Sequence, residues 1–319
     1  MSKIALKKSL IVSKIEETKE YLIKKSKKII LPGKSKITLY EISSFLITAI
    51  GKGKISIRAS SIAFKMFLAV FPAIIFLFTL IPYIPIDNFQ DQLLELFKSF
   101  MPREAYLSVR DTIIDIAVHK RGGLLSVGFI SAMYFATNGI NAIITAFNET
   151  SLSLETRKWL KKRLISIFLV VILTVLVTIA IAIITFSGFF FDYLVKKDIL
   201  QINVTYYLLI AAKWLIVIAL SYFAISFIYY LAPAKKNDWK FFSLGSSIAT
   251  ILTMIISVGF SIFVNNFGQY NKLYGSIGTL IVILIWIYLN AFILLIGFEI
   301  NASIKNVHIK RNLKKLENI

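Results

Sequence analysis

In a chain that is 57% hydrophobic, the few polar side chains set inside apolar runs are the ones that could do chemistry. The longest row is Ser131, Tyr134, Asn138, Asn141, Thr145 and Asn148. Its spacings alternate between three and four, which places the whole row on one face of a helix. Such a face can hydrogen-bond water, a lipid headgroup or a neighbouring helix. Ser246, Thr250, Thr253, Ser257, Ser261 and Asn265 form a second row of smaller groups, and Thr174, Thr178 and Thr185 a sparser third. Asn290, Gly297 and Asn301 punctuate the last apolar run. Two ammonium groups, Lys65 and Lys213, fall two helical turns inside apolar runs, and the carboxylate Glu299 closes the last one. A cation at that depth either snorkels to the nearer interface or pairs with a carboxylate or an anionic ligand. Glu149 and Glu299 are the acids on the proper side for Lys65. Asp192, Asp198 or an acid of the outer segment 87–121 are those for Lys213.

Most enzyme chemistries lack their residues. There is no cysteine, and the only histidines are His119 and His308, which the topology below puts on opposite sides of a membrane. No G-x-S-x-G elbow occurs. Gly33-Lys34-Ser35 resembles the end of a phosphate loop, but position 28 is Lys where that loop needs glycine. No catalytic activity, metal or cofactor is expected.

The elements that must position these residues follow from hydropathy. Six apolar runs, over residues 59–83, 124–147, 164–191, 206–231, 241–264 and 276–298, are each long enough for a spanning helix of about 20 residues. They are longer than barrel strands and apolar all round, so they read as helices. Pro72 predicts a kink in the first. The mean hydropathy of +0.75 agrees with a lipid-covered chain.

The net charge of +20 is distributed by topology. About 27 Lys and Arg fall before the first run or in alternate gaps, with Arg157, Lys158, Lys161, Lys162 and Arg163 forming one cluster. About 8 fall in the other gaps. The positive-inside rule puts both termini in the cytoplasm. The basic face then meets anionic lipid headgroups, and nucleic acid is not an expected partner, because the clusters lack interleaved aromatic platforms.

Residues 1–58 read as a basic amphipathic extension followed by an interfacial elbow helix, with no cleaved signal. Residues 59–302 form the six-helix membrane domain, and 303–319 a basic cytoplasmic tail. Apolar spacing over 87–121 predicts a helical hairpin on the outer face.

Two readings of the polar rows stand. Small and hydroxyl residues let helices approach and bond to one another. That accounts for the fifth run, where Ser246, Ser257 and Gly259 are expected to face other helices. The second row is longer than such packing needs. Tyr134, Asn138, Asn141 and Asn148, with Asn290 nearby, are therefore expected to line a polar interior path.

Several segments resemble the YihY/BrkB family, formerly called ribonuclease BN. The likeness covers residues 40–302. It rests on Ala59-Ser-Ser-Ile-Ala63-Phe64 with Phe71-Pro72, on Asn148 with the Arg157–Arg163 cluster, and on Tyr230-Leu-Ala-Pro233 with Trp239 and Gly245. The most specific block is Tyr274-Gly275-Ser276-Ile277-Gly278, Trp286, Tyr288, and Leu295 to Ala302 with Gly297, Glu299 and Asn301. The chain departs from the family at Lys65, where a tyrosine or another uncharged residue is usual, and in its long basic N-terminus. The resemblance implies a bacterial inner-membrane protein of six helices with both termini cytoplasmic. It also implies a connection with serum resistance and envelope lipids.

The expectation is thus an all-α integral membrane protein, transporter-like or flippase-like, acting on an amphiphilic or anionic envelope molecule. The alternative is a structural membrane protein that supports the envelope without translocating anything. Ribonuclease activity is not expected.

Overall fold

The computed structural model describes residues 54–83, 119–150, 157–197, 204–234, 240–266 and 268–317, together with Asp115 and scattered positions before residue 54. The basic N-terminal helix, the elbow helix and most of the outer hairpin lie outside the described residues.

Six helices account for nearly all of it: α1 Lys54–Leu80, continued by a 3-10 turn Ile81–Tyr83, α2 Gly122–Thr150, α3 Trp159–Lys196, α4 Val204–Leu231, α5 Leu244–Asn266 and α6 Gly268–Glu317. All six carry apolar segments long enough to cross a membrane. A helix satisfies its own backbone polar groups, which lipid cannot do. α1 ends three residues short of its apolar run and α5 begins three residues into its own. Most helix ends overrun the run that announces them, because intrahelical bonding continues through the polar flanks. α6 does so most, at 50 residues or about 75 Å. α1 continues unbroken through Pro72, whose missing N–H leaves the Leu68 carbonyl without its helical donor.

The helices close into a ring. Each packs on the next in sequence, α6 returns to α1, and α6 also touches α2. One end of this ring gathers the start of α1, the end of α2, the start of α3, the end of α4, the start of α5 and residues 299–303 of α6. It is the basic end, with Arg58, Arg157, Lys158, Lys161, Lys162, Arg163 and Lys240.

The core sits in the basic half. Phe147 of α2 and Phe298 of α6 stack face to face at 3.8 Å between centroids. Tyr229 of α4 meets both rings edge-on, at 5.6 and 5.8 Å, and its hydroxyl donates to the Leu294 carbonyl at 2.7 Å. α5 and α6 cross at two glycines. A Cβ on Gly297 would come within 2.7 Å of the Gly245 carbonyl oxygen, so only glycine permits this approach.

The small-residue row of α5 splits. Ser246 and Thr250 are buried, Ser257 is half-buried, and Gly259 is exposed, with open space where a Cβ would go. The expectation that Gly259 faces another helix is therefore corrected. The buried residues of α5 all precede Leu252, and none follows among the described side chains. On α3, Thr174, Thr178 and Thr185 are all exposed, and Thr178 returns its hydroxyl to the Thr174 carbonyl at 2.8 Å.

Candidate functional site

At the basic end, polar side chains tie all six helices together. Arg58 enters from the first turns of α1, and its Nη2 donates to Glu299 Oε1 of α6 at 2.6 Å. Its Nη1 donates to the Ala146 carbonyl at 2.9 Å and to the Thr150 hydroxyl of α2. Thr150 in turn donates to Glu299 Oε1 at 2.8 Å. Glu299 is only 4% exposed. Burial of that carboxylate is tolerable because a guanidinium and a hydroxyl share its charge. Glu299 thus pairs with Arg58 and not with Lys65, for which it was one of two candidate acids. Lys65 stands exposed on the outer side of α1, in keeping with a snorkelling ammonium.

The next tie holds the α4–α5 turn. Asn148 Oδ1 accepts the Ala234 N–H at 3.0 Å, and Arg157 Nη2 donates to the Ala232 carbonyl at 2.8 Å. A third tie caps α5. Ser243 Oγ accepts the Ser246 N–H at 3.1 Å while Ser246 Oγ accepts the Ser243 N–H at 3.2 Å, a reciprocal N-cap. Asn301 reaches over from α6. Its Oδ1 accepts the Gly245 N–H at 2.8 Å, and its Nδ2 donates to Ser243 Oγ at 2.9 Å. These bonds occupy N–H groups that the helix start leaves orphaned.

The polar row of α2 behaves differently along its length. Asn148 is buried in the turn just described. Asn141 is half-buried, and its Oδ1 is enclosed without a hydrogen-bond partner. Thr145 is exposed and accepts from Lys162 Nζ of α3 at 3.2 Å. Asn138 Oδ1 accepts from Arg163 Nη1 at 2.7 Å. The same guanidinium lies over the Tyr134 ring, 5.1 Å from its centroid. Asn138 is twelve residues from Thr150, or about 18 Å of helix, and close to the middle of α2. Arg163 therefore leaves the first turns of α3 and carries its charge toward mid-span. Among the described residues it meets no carboxylate.

The row's partner is α3, where α6 was expected. Asn290 donates to the Trp286 carbonyl of its own helix at 2.8 Å. Lys213 is half-buried with its ammonium over the Trp214 ring, 5.5 Å away, and the expected acids Asp192 and Asp198 lie outside what can be described. At the opposite end Asp115 pairs with His119, at 3.2 Å, and with Arg121. Among the described residues no group of three or more His, Asp or Glu comes together as a metal site would require.

Arg58 and Arg163 are the two groups that sequence reasoning passed over. Arg58 was counted only as a basic flank residue, and Arg163 only as a member of the Arg157–Arg163 cluster. Their positions within a turn or two of an apolar run were the available signal.

Six apolar helices, each long enough to cross a membrane, define a multi-pass α-helical membrane protein. The family model described as "Virulence factor BrkB" matches residues 46–318, and the chain belongs to that family. A protein of Bacillus subtilis (strain 168), YfkH, described as ribonuclease-like, is 32% identical over 248 residues, covering 77% of this chain and 88% of that protein. A UPF0761 membrane protein of Tolumonas auensis is 22% identical over 279 residues, 85% of this chain and 88% of that one. One from Vibrio cholerae serotype O1 is 35% identical over 92 residues, 29% of this chain and 31% of that one. No solved structure matches.

Proposed function

We propose that this protein moves an amphiphilic or anionic molecule of the envelope across or within a bacterial inner membrane, with both termini in the cytoplasm. The observation that carries the reading is Arg163. A guanidinium held toward mid-span by an asparagine and a tyrosine, with no carboxylate partner among the described residues, is costly unless something anionic visits it. The α2 face on which it lies stays open to the surroundings at Tyr134 and Thr145. The chain shows no nucleotide-binding motif, so movement would be passive or coupled to an ion.

A purely structural role is favoured by a separate observation. Asn148, Gly297, Glu299 and Asn301, which carry much of the family resemblance, are all engaged in packing or in bonds between helices. Under that reading the basic end is a clamp, and lipids at its surface are its partners. A nuclease role finds no support in the side chains, and the ribonuclease-like description belongs to the relative that bears it.

The test is reconstitution. The purified chain is placed in vesicles containing fluorescent phosphatidylglycerol, and flux is read by external quenching. Asn138→Leu and Asn141→Leu are expected to fold and to lose flux. If both fold and flux persists, the path is wrong. If both unfold, the row is structural.

A further inference from the structure

The α2 face changes character at Tyr134. Toward the basic end it presents Asn138, Asn141 and Thr145, with Arg163 and Lys162 of α3 alongside. Away from the basic end the same face continues one and two turns on as Ile130 and Val127, at 66% and 62% exposed. Polar and cationic groups thus sit on one side of a ring and bare aliphatic groups on the other. A lipid of the leaflet at the basic end has the same register, with its headgroup toward that end and its chains toward the bilayer middle.

We propose that the flank between α2 and α3 is a docking site for the phosphate of an anionic phospholipid. Arg163 receives the phosphate, and Asn138 holds the guanidinium in place by accepting from Nη1. A guanidinium carries five donors, and the contacts among the described residues account for one, which leaves the others to meet phosphate oxygens. Tyr134 supports the cation from beneath with its ring face. Acyl chains lie along Ile130 and Val127. Charge complementarity selects the occupant. A carboxylate partner is missing among the described residues, and a zwitterionic headgroup would bring its own cation to a site already occupied by one. A soluble phosphate would leave the aliphatic half of the face without a role.

The site lies about 18 Å along α2 from Thr150, close to the middle of that helix. A phosphate there has been drawn inward. This assignment rests on the envelope-molecule reading above, and it names the substrate class and the point of entry.

The experiment uses the full chain in detergent with mixed phosphatidylglycerol and phosphatidylcholine, read by native mass spectrometry. Phosphatidylglycerol should be retained over phosphatidylcholine. Arg163→Gln should weaken that retention about tenfold, the loss expected for a charge-assisted contact. Arg163→Lys should fall between the two. A photoreactive benzoylphenylalanine in place of Ile130 should crosslink to acyl chains of phosphatidylglycerol, and less so when Arg163→Gln is added. Equal retention of the two lipids, or unchanged retention in Arg163→Gln, overturns the proposal. So does displacement of the lipid by millimolar inorganic phosphate, which would assign the site to a soluble oxyanion. If Arg163→Gln does not fold, the crosslink in an otherwise unaltered chain decides, and no preference for phosphatidylglycerol overturns the site. Flux by a parent chain that shows no preferential retention of phosphatidylglycerol removes this site but leaves the transport reading. Retention without any flux does the reverse.

Discussion

The two halves of the bundle are held by different means. In the basic half, Ile55, Ala59, Phe147, Tyr229, Phe298 and Glu299 are buried, and side-chain hydrogen bonds link neighbouring helices and the α4–α5 turn. In the opposite half, α3 beyond Val170 buries only Phe191, and α4 before Phe223 and α5 beyond Thr250 bury nothing among the described side chains. The difference follows from the solvent. Lipid tails solvate Val, Ile and Leu as well as another helix does, so bulky apolar residues alone do not draw helices together. Close glycine crossings and buried polar bonds do. Stability is therefore expected to concentrate at the basic end, and the opposite half has room to rearrange.

The sharpest way to break this comparison is to remove one member of the buried ion pair. Arg58→Met leaves the Glu299 carboxylate enclosed without its cation, and should cost about 3–5 kcal/mol of stability in detergent unfolding. Adding Glu299→Met should recover much of the loss, since the pair together contributes far less than either orphan costs. Lys213→Met in the opposite half loses only a cation–ring contact, and should change stability by about 1 kcal/mol or less. Similar losses at Arg58 and Lys213 would erase the distinction.

Glycines sharpen it further. Gly297→Leu forces a side chain into Tyr229, Ala249 and the Gly245 carbonyl, and should cost about 1–3 kcal/mol or prevent assembly. Gly259→Leu enters open space and should stay within about 0.5 kcal/mol of the parent. A thermal transition followed by tryptophan fluorescence separates the two. Next in size is Asn148→Ala. It leaves the Ala234 N–H without its acceptor and should cost about 1–2 kcal/mol, read by the same transition.

Topology can be probed with no expected stability change. The chain has no cysteine, so Ser108→Cys provides a single labelling site. It should react with an impermeant maleimide added to intact cells. Reaction only after the inner face is opened would reverse the orientation and place the clamp outside.

Much of the fold was legible because helices in lipid announce themselves by length and hydropathy. Each of the six expected runs coincides with a helix; 59–83 ends in the 3-10 turn after Leu80, 241–264 begins three residues before Leu244, and the other four fall inside their helices. The site was legible only in part. The 3.6-residue period put Tyr134 and Asn138 on one face, yet it carries no information about which helix that face meets. Their partner, Arg163, is set by the register of α3 against α2, which a connecting segment does not encode. Arg58 was hidden for a related reason. As a count it is one more basic flank residue, and only the packing of α6 against α1 brings Glu299 to it. Gly259 misled because a small residue on a helix is compatible with close packing but does not require it. Gly297 and Gly259 differ only in what lies opposite.

The central claim is that Arg163 serves a visiting anion while Arg58 serves the fold. It is tested most directly by measuring flux and the thermal transition on the same reconstituted preparations of Arg163→Gln. The account predicts that phosphatidylglycerol flux is lost while the transition stays close to that of the parent chain. A preparation that keeps its flux, or one whose transition collapses as Arg58→Met is expected to, would contradict it.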